Sequence, residues 1–251
     1  MTPLGWHLIL RLQGDHVLVP SVAERRRLAQ AFVRLAGEFP LLAWRATDAD
    51  LHVLGCLTDA QAETIVRKLR TVFAHLHPGV PLLLVRQFPI QGQWQLAESF
   101  RRVLRVDRHV GTDSLLEGSV VLDMLGMRAV GAQLAARVRE RLPQISPDEL
   151  LPHLGLGGVE ELCALEHLAD ATAAAFALPE LEGKGAEPNA ARAAGIVAAD
   201  GLPAEAVAAA LGVSVRTVER VRADNDVPPA HRRAVRLQMG LRAARAQALS
   251  A

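Results

Sequence analysis

Asp50-Leu51-His52 is the pattern in this chain of 251 residues with the clearest capacity for metal chemistry. Alternate side chains of a β-strand point to the same face, so Asp50 and His52 would face the same way. One carboxylate and one imidazole can coordinate Mg²⁺ or Mn²⁺, and a water activated there could hydrolyse a phosphodiester. Alternatively, Asp50 ends a turn and His52 packs against a helix. We favour that alternative and expect no metal or other cofactor.

A second candidate is the basic segment 101–111, RRVLRVDRHVG, in which arginines alternate with apolar residues. Guanidinium groups can bind phosphates bidentately without reading a base sequence. A solvated helix face, or salt bridges within the chain, explains the same pattern equally well. The candidate phosphate-binding residues here are Arg101, Arg102 and Arg105.

The segment 204–223, AEAVAAALGVSVRTVERVRA, predicts two short helices joined by a tight turn. Val207, Ala208 and Leu211 would share one face of the first helix. Gly212 allows a turn with positive φ, and Ser214 is a typical N-cap for the second helix. This pattern is typical of a helix-turn-helix, whose second helix enters the major groove of DNA. The alternative is a helical hairpin that never contacts DNA.

The distribution of charge favours a DNA-binding helix-turn-helix over a helical hairpin that never contacts DNA. From Ser214 onward there are eight arginines against three acidic residues, whereas the whole chain carries a net charge of +1. A local basic face over such a motif is the electrostatic footprint of duplex binding. The candidate DNA-binding residues of this region are Ser214, Arg216, Thr217, Glu219, Arg220, Arg222, Arg232, Arg233 and Arg236.

The elements that must position these residues alternate in type over the first third of the chain. Alternating patterns predict strands at 6–13, 17–19, 41–46, 51–57 and 81–88. Amphipathic patterns predict helices at 23–38, with Ser21 as its cap, and at 59–76. The order β-α-β-β-α-β predicts a ferredoxin-like (split βαβ) domain, with two helices on one face of an antiparallel sheet.

The rest of the chain is predicted to be helical. Helices are expected at 94–108, in an alanine-rich stretch ending at Arg141, at 160–176, from Ala190, through 204–223 and from Pro229 onward. Residues 182–189, EGKGAEPN, are the best linker candidate. The expected fold is thus α+β, and the expected divisions are a ferredoxin-like domain at 1–111, a helical connecting region at 112–181 and a helix-turn-helix domain at 186–251.

Composition narrows the class of protein, its expected location and its expected partner. There is no apolar run of 18 residues, no signal-peptide pattern and no cysteine cluster, which argues against membrane, secreted and structural-zinc classes. The abundance of arginine and alanine suggests a GC-rich bacterial source, with the protein in the cytoplasm at the nucleoid. Six phenylalanines and three tryptophans offer few stacking surfaces for single strands, so double-stranded or hairpin DNA is the expected partner.

Residues 1–130 resemble the single-tyrosine HUH transposases associated with bacterial repetitive extragenic palindromes. The resemblance is carried by the Asp-x-His pattern at 50–52, by segment 101–111 and by EGSVVLDMLGMR at 117–128, which looks like that family's downstream tail. It implies a ferredoxin-like core, a metal held by a His-hydrophobic-His pair and a tyrosine that attacks a DNA phosphate. Similar proteins also carry a C-terminal helix-turn-helix of the replication-initiator type.

The chain departs from that family where the chemistry is done. Asp50 replaces the first histidine, and the position expected to carry the tyrosine falls at or near Arg102. Arginine stays protonated and offers no nucleophilic oxygen, and the chain contains no tyrosine at all. Strand transfer of the family's kind is therefore not expected.

These observations lead to the hypothesis of a domesticated, non-catalytic and sequence-specific DNA-binding protein that acts as a regulator or DNA-targeting factor. By analogy with both classes of protein, it would form a homodimer. Two alternatives stay open. One is a metal-dependent nuclease or transposase remnant that uses Asp50 and His52, and the other is an adaptor that binds a protein partner through the helices of 112–183.

Overall fold

A computed structural model of the chain describes residues 2–104, 117–146, 149–150 and 158–250. The chain folds into two compact units. Unit 1 comprises Met1–Met124 and Gln133–Gly155, and unit 2 comprises Leu125–Ala132 and Leu156–Ala251. The α+β class is confirmed, because unit 1 contains a four-stranded antiparallel sheet and the named elements of unit 2 are helical. The division at 1–111, 112–181 and 186–251 stays a prediction.

Unit 1 begins with the predicted alternation of strands and helices and then becomes helical. Its elements are β1 (Gly5–Leu12), α1 (Val22–Glu38), β2 (Leu41–Ala46), β3 (Asp50–Gly55), α2 (Asp59–Leu76), β4 (Leu82–Ile90), α3 (Gln93–Leu104), α4 (Val121–Met124) and, from its second residue, α5 (Ala132–Arg141). The strand order is β2-β3-β1-β4, and every neighbouring pair is antiparallel.

Local signals fix the two long helices of this unit. The Ser21 hydroxyl accepts from the main-chain N–H of Glu24, whose carboxylate accepts in return from the Ser21 N–H, so α1 begins with a capping box. Thr58 and Gln61 form the same arrangement at the start of α2. The predicted bounds of α2 are those of the structure, because cap and apolar period agree.

The two faces of the sheet differ. On one face, the Phe32 ring of α1 stacks on Trp44 of β2 with ring centroids 4.5 Å apart. The other face carries His7 of β1 together with Asp50 and His52 of β3. There, the Arg45 guanidinium of β2 donates to the Val103 carbonyl of α3. The polar residues predicted to do chemistry thus lie on the α3 side of the sheet.

The strand predicted at 17–19 is wrong. Leu18 and Val19 are buried, but the Leu18 N–H donates to a single carbonyl, that of Asp48, and the segment forms no ladder. The apolar pattern reflects anchoring in the core, since burial alone selects apolar residues whatever the backbone conformation. The turn at Gly14, with φ of 79°, ends β1 before this segment.

In the described part of unit 2, five α-helices pack around a core in which alanines alternate with larger apolar side chains. They are α6 (Leu165–Ala175), α7 (Ala186–Ala198), α8 (Ala204–Leu211), α9 (Val215–Asp224) and α10 (Pro229–Ser250). The close packing of α6 on α7 requires glycine at 195, where a Cβ would lie 2.7 Å from the Thr172 hydroxyl. No helix in the described ranges is both long and apolar enough to cross a membrane.

Two predicted boundaries in unit 2 are wrong. The helix predicted at 160–176 begins at Leu165, because the preceding residues run against α10, where the Glu160 carbonyl leaves no room for a side chain at Gly240. The linker predicted at 182–189 becomes helical at Ala186. Its Pro188 occupies the first turn of α7, where a helix needs no N–H donor.

Replacing Phe32 by alanine tests the α1 side of the sheet. Removing this fully buried ring should lower the free energy of unfolding by about 3–5 kcal/mol, through lost burial and the cavity left beside Trp44. Denaturant unfolding followed by near-ultraviolet circular dichroism measures the change. Val22→Ala, at an exposed position of the same helix, should change the free energy by less than about 0.5 kcal/mol. Equal effects of the two substitutions would contradict the assignment.

Candidate functional site

The turn between α8 and α9 is tight and closed by main-chain hydrogen bonds. Gly212 adopts φ of 63°, in the left-handed region, and the Val213 N–H donates to the Ala208 carbonyl at 3.0 Å. The Ser214 hydroxyl accepts from the Thr217 N–H at 3.1 Å, which confirms Ser214 as the N-cap of α9. The Thr217 hydroxyl lies 2.8 Å from that of Ser214, so the two hydroxyls bond to each other at the start of the helix.

Helix α9 has one anchored face and one exposed face. Val218 is fully buried in the core of unit 2, while Arg216, Glu219 and Arg220 are exposed. Residues 216 and 220 are one turn apart, so their side chains emerge side by side. Sequence reasoning predicted this exposed set, and the structure brings its three charged members together.

Two other arginines of the predicted set bind the protein itself. The Arg222 guanidinium donates to the carbonyls of Ala199 and Leu202, at 2.8 and 2.9 Å. Arg236 donates to the Ala198 carbonyl at 3.0 Å. Both therefore serve the last carbonyls of α7 and the turn after it, which have no partner within the helix. This geometry gives Arg222 and Arg236 a structural role, and their DNA contact stays a prediction.

The remaining arginines of α10 differ from one another. Arg233 forms an ion pair with Glu161 at 3.1 Å, with both side chains largely exposed. Arg232, its neighbour, is exposed. An exposed ion pair of this kind is worth little and can be exchanged for a phosphate. Arg232 and Arg233 therefore keep the capacity to bind DNA that the sequence indicated.

On the sheet of unit 1, Asp50 is held by an arginine. Both carboxylate oxygens of Asp50 accept from the Arg11 guanidinium on β1, each at 2.9 Å. His52, two residues along the same strand, has its Nδ1 atom 3.2 Å from Nε2 of His7. Asp50 and His52 thus face the same side of the sheet, as predicted, but each engages a partner on β1.

This arrangement does not fit the divalent metal that the family resemblance implies. Both oxygens of Asp50 are used by a cation, and the ring nitrogens of His52 and His7 face each other. Among the described residues there is no group of three or more histidine, cysteine, aspartate or glutamate side chains arranged to hold a metal. We derive no metal-dependent step from this site.

The arginines of α3 lie in different surroundings. Arg101 forms ion pairs with Glu98 at 3.1 Å and Glu149 at 3.5 Å. Arg102 is exposed and lines a pocket of about 210 Å³ on the α3 side of the sheet. The other lining residues are His7, Phe88, Trp94, Gln95, Glu98 and Ser99. Arg105, the third predicted phosphate ligand, lies outside the described residues.

His7 forms the floor of this pocket. Burial lowers the pKa of its imidazole to about 4, and the nearby His52 and Arg102 contribute to the same shift. The ring is therefore neutral near pH 7 and can accept or donate one hydrogen bond. Sequence reasoning missed both His7 and Trp94. The strand pairing that brings His7 to His52 joins residues 45 positions apart, and the sequence pattern holds no signal for it.

Comparison of the chain with protein-family models, with curated proteins and with solved structures found no match.

Arg222→Ala tests the structural role of this side chain. The substitution should lower the free energy of unfolding by about 1–3 kcal/mol, because two carbonyls lose a charged donor. Chemical denaturation followed by circular dichroism measures it. The matched control is Arg220→Ala, since Arg220 is exposed on the same helix and its loss should cost no more than about 0.5 kcal/mol. If both variants were equally stable, Arg222 would have no anchoring role.

The buried imidazole predicts a dependence of stability on pH. The pKa of His7 is about 4 in the folded chain and 6.5 as the ordinary value, so between these values the unfolded chain binds the extra proton. Stability should fall as the pH decreases from about 6.5 to 4, by about 3 kcal/mol in total. Urea unfolding at a series of pH values measures this, and His7→Gln should remove that portion of the slope. An unchanged slope in the variant would contradict the assignment.

Proposed function

We propose that this chain is a non-catalytic, sequence-specific DNA-binding protein in which α8 and α9 form a helix-turn-helix. The observation that carries the proposal is the construction of α9. One face is anchored by the buried Val218 and by Arg222, and the opposite face presents Arg216, Glu219 and Arg220 to solvent. A helix held rigidly on one side and charged on the other is what insertion into the major groove requires.

The exposed arginines of this unit divide into those placed to contact base edges and those placed to contact phosphates. Arg216 and Arg220 lie in the first two turns of α9, where a recognition helix approaches base edges, and arginine pairs bidentately with guanine. Arg232 and Arg233 on α10 are suited to the phosphate backbone. Ser214 and Thr217 serve the interface indirectly, because Ser214 caps the helix that carries Arg216 and Arg220 and Thr217 bonds to the Ser214 hydroxyl.

We propose that unit 1, which carries the sheet, descends from a transposase-like ancestor. In this proposal unit 1 is a ferredoxin-like domain, and what favours it is the strand order β2-β3-β1-β4 together with the β-α-β-β-α-β succession. The chain contains no tyrosine to serve as a nucleophile, and Asp50 is engaged by Arg11. We therefore propose that this unit does not cleave DNA and that the protein works at the bacterial nucleoid as a regulator or DNA-targeting factor.

Selection of bound duplexes from a random pool, followed by binding measurements on the selected site, tests this function. Arg216→Ala and Arg220→Ala should each weaken binding by about 1–3 kcal/mol, and the variants should accept more bases at the position that the lost arginine reads.

The matched control is Arg67→Ala, which removes one exposed arginine from α2 in unit 1. It should leave the selected sequence and the affinity nearly unchanged. Unaltered binding by both α9 variants would overturn the recognition-helix assignment. A chain that shifts no duplex at low salt would overturn the DNA-binding function as a whole.

A further inference from the structure

The pocket beside His7 gathers exposed aromatic rings in a chain that has few of them. Trp94 is 78% exposed and Phe88 is 40% exposed, although large apolar side chains are normally withdrawn from water. Both line the same pocket. Phe88 lies beside His7 with ring centroids 6.0 Å apart, so the floor and one wall present ring surfaces. Flat, exposed rings suit the stacking of another flat ring.

Helix α3 supplies a positive charge to the pocket. Residues 94, 98 and 102 follow each other at intervals of four on α3, so Trp94, Glu98 and Arg102 form one stripe along the helix. Glu98 forms an ion pair at 3.1 Å with Arg101, which it shares with Glu149 at 3.5 Å. Arg102 is exposed and directed to the pocket, where its guanidinium can hold a phosphate through two hydrogen bonds.

Volume limits what can enter. The pocket measures about 210 Å³, below the roughly 300–1,000 Å³ of sites for drug-sized ligands. It is therefore suited to one planar ring, with any charged group remaining at the mouth. A dinucleotide cofactor would not fit inside, and a cationic ligand would be repelled by Arg102.

We propose that this pocket binds a single nucleoside phosphate, with the base stacked on Trp94 and Phe88 and the phosphate held by Arg102. The Ser99 hydroxyl offers a hydrogen-bond partner to the base edge. Gln95 already bonds to the Gln91 N–H and the Pro89 carbonyl, and its amide keeps a second donor and a second acceptor site. The source is either a free nucleotide or an unpaired nucleotide of a DNA hairpin, since both present the same base and phosphate. The site lies wholly in unit 1 and does not depend on the function proposed for α8 and α9.

Binding of defined probes to the full chain tests this. The probes are free deoxynucleoside monophosphates, inorganic phosphate, a DNA hairpin with unpaired loop nucleotides and the same stem as a closed duplex. Calorimetry measures the free nucleotides, and fluorescence anisotropy measures the labelled DNA. Trp94→Ala should weaken binding of the nucleotide or hairpin by roughly 5- to 150-fold, as for loss of one base–aromatic stack. Trp94→Phe should restore most of it.

Arg102→Ala should also weaken binding, at least fivefold, whereas the control Arg67→Ala should leave it within about twofold. Both Trp94 and Arg102 are exposed, so neither substitution should disturb folding. Tight binding of free nucleotides identifies them as the source, and binding of the hairpin alone identifies the unpaired loop.

Three results would overturn the proposal. These are equal affinities of wild type, Trp94→Ala and Arg102→Ala for every probe, an equal loss in Arg67→Ala and Arg102→Ala, or competition by inorganic phosphate as effective as that by a nucleotide. The Arg216→Ala variant separates the two proposals. It should lose affinity for the selected duplex while keeping that for the nucleotide or hairpin loop, and failure of one proposal leaves the other standing.

Discussion

Hydrogen bonds from arginine guanidiniums to main-chain carbonyls are the interaction on which both units depend. In unit 1, Arg137 donates to three carbonyls around the end of α1, and Arg45 donates from the sheet to a carbonyl of α3. In unit 2, Arg222 and Arg236 serve the carbonyls at the end of α7. Helix ends and loops leave such carbonyls without partners, and a guanidinium with five donors can serve several at once. Arg216 and Arg220 of α9 instead present their charge to solvent.

This division explains how an almost neutral chain can present local basic surfaces. Arginine is fully charged and weakly hydrated, so it can be withdrawn into contacts with carbonyls at a lower cost than lysine. Exposed arginines lie on α9, at the start of α10 and at Arg102, and others lie on β1, β4, α1, α2 and α5. These arginines lie on helices or strands, which are rigid supports. A positive charge on a rigid support is pre-organised for a phosphate, whereas the same charge on a loop must first be ordered.

Much of the fold was predictable, because the signals for it are local. The capping residues and apolar periods of α1 and α2 predicted those helices, and Gly212 and Ser214 predicted the turn between α8 and α9. The failure at 17–19 has a tertiary cause. Leu18 and Val19 are apolar because distant elements cover them, and an apolar pattern does not reveal which element provides the cover.

The sequence by itself determined which residue types were present: an Asp-x-His pattern, an excess of arginines near the C-terminus and no tyrosine. Only the tertiary structure decided how they are used. It pairs Asp50 with Arg11 and His52 with His7, turns Arg222 inward and leaves Arg220 outside, and brings Trp94 to Phe88 beside Arg102. The physical reason is that a side chain's role follows from its partners. Strand pairing and helix packing bring those partners together from positions far apart in the chain, beyond the reach of any local pattern.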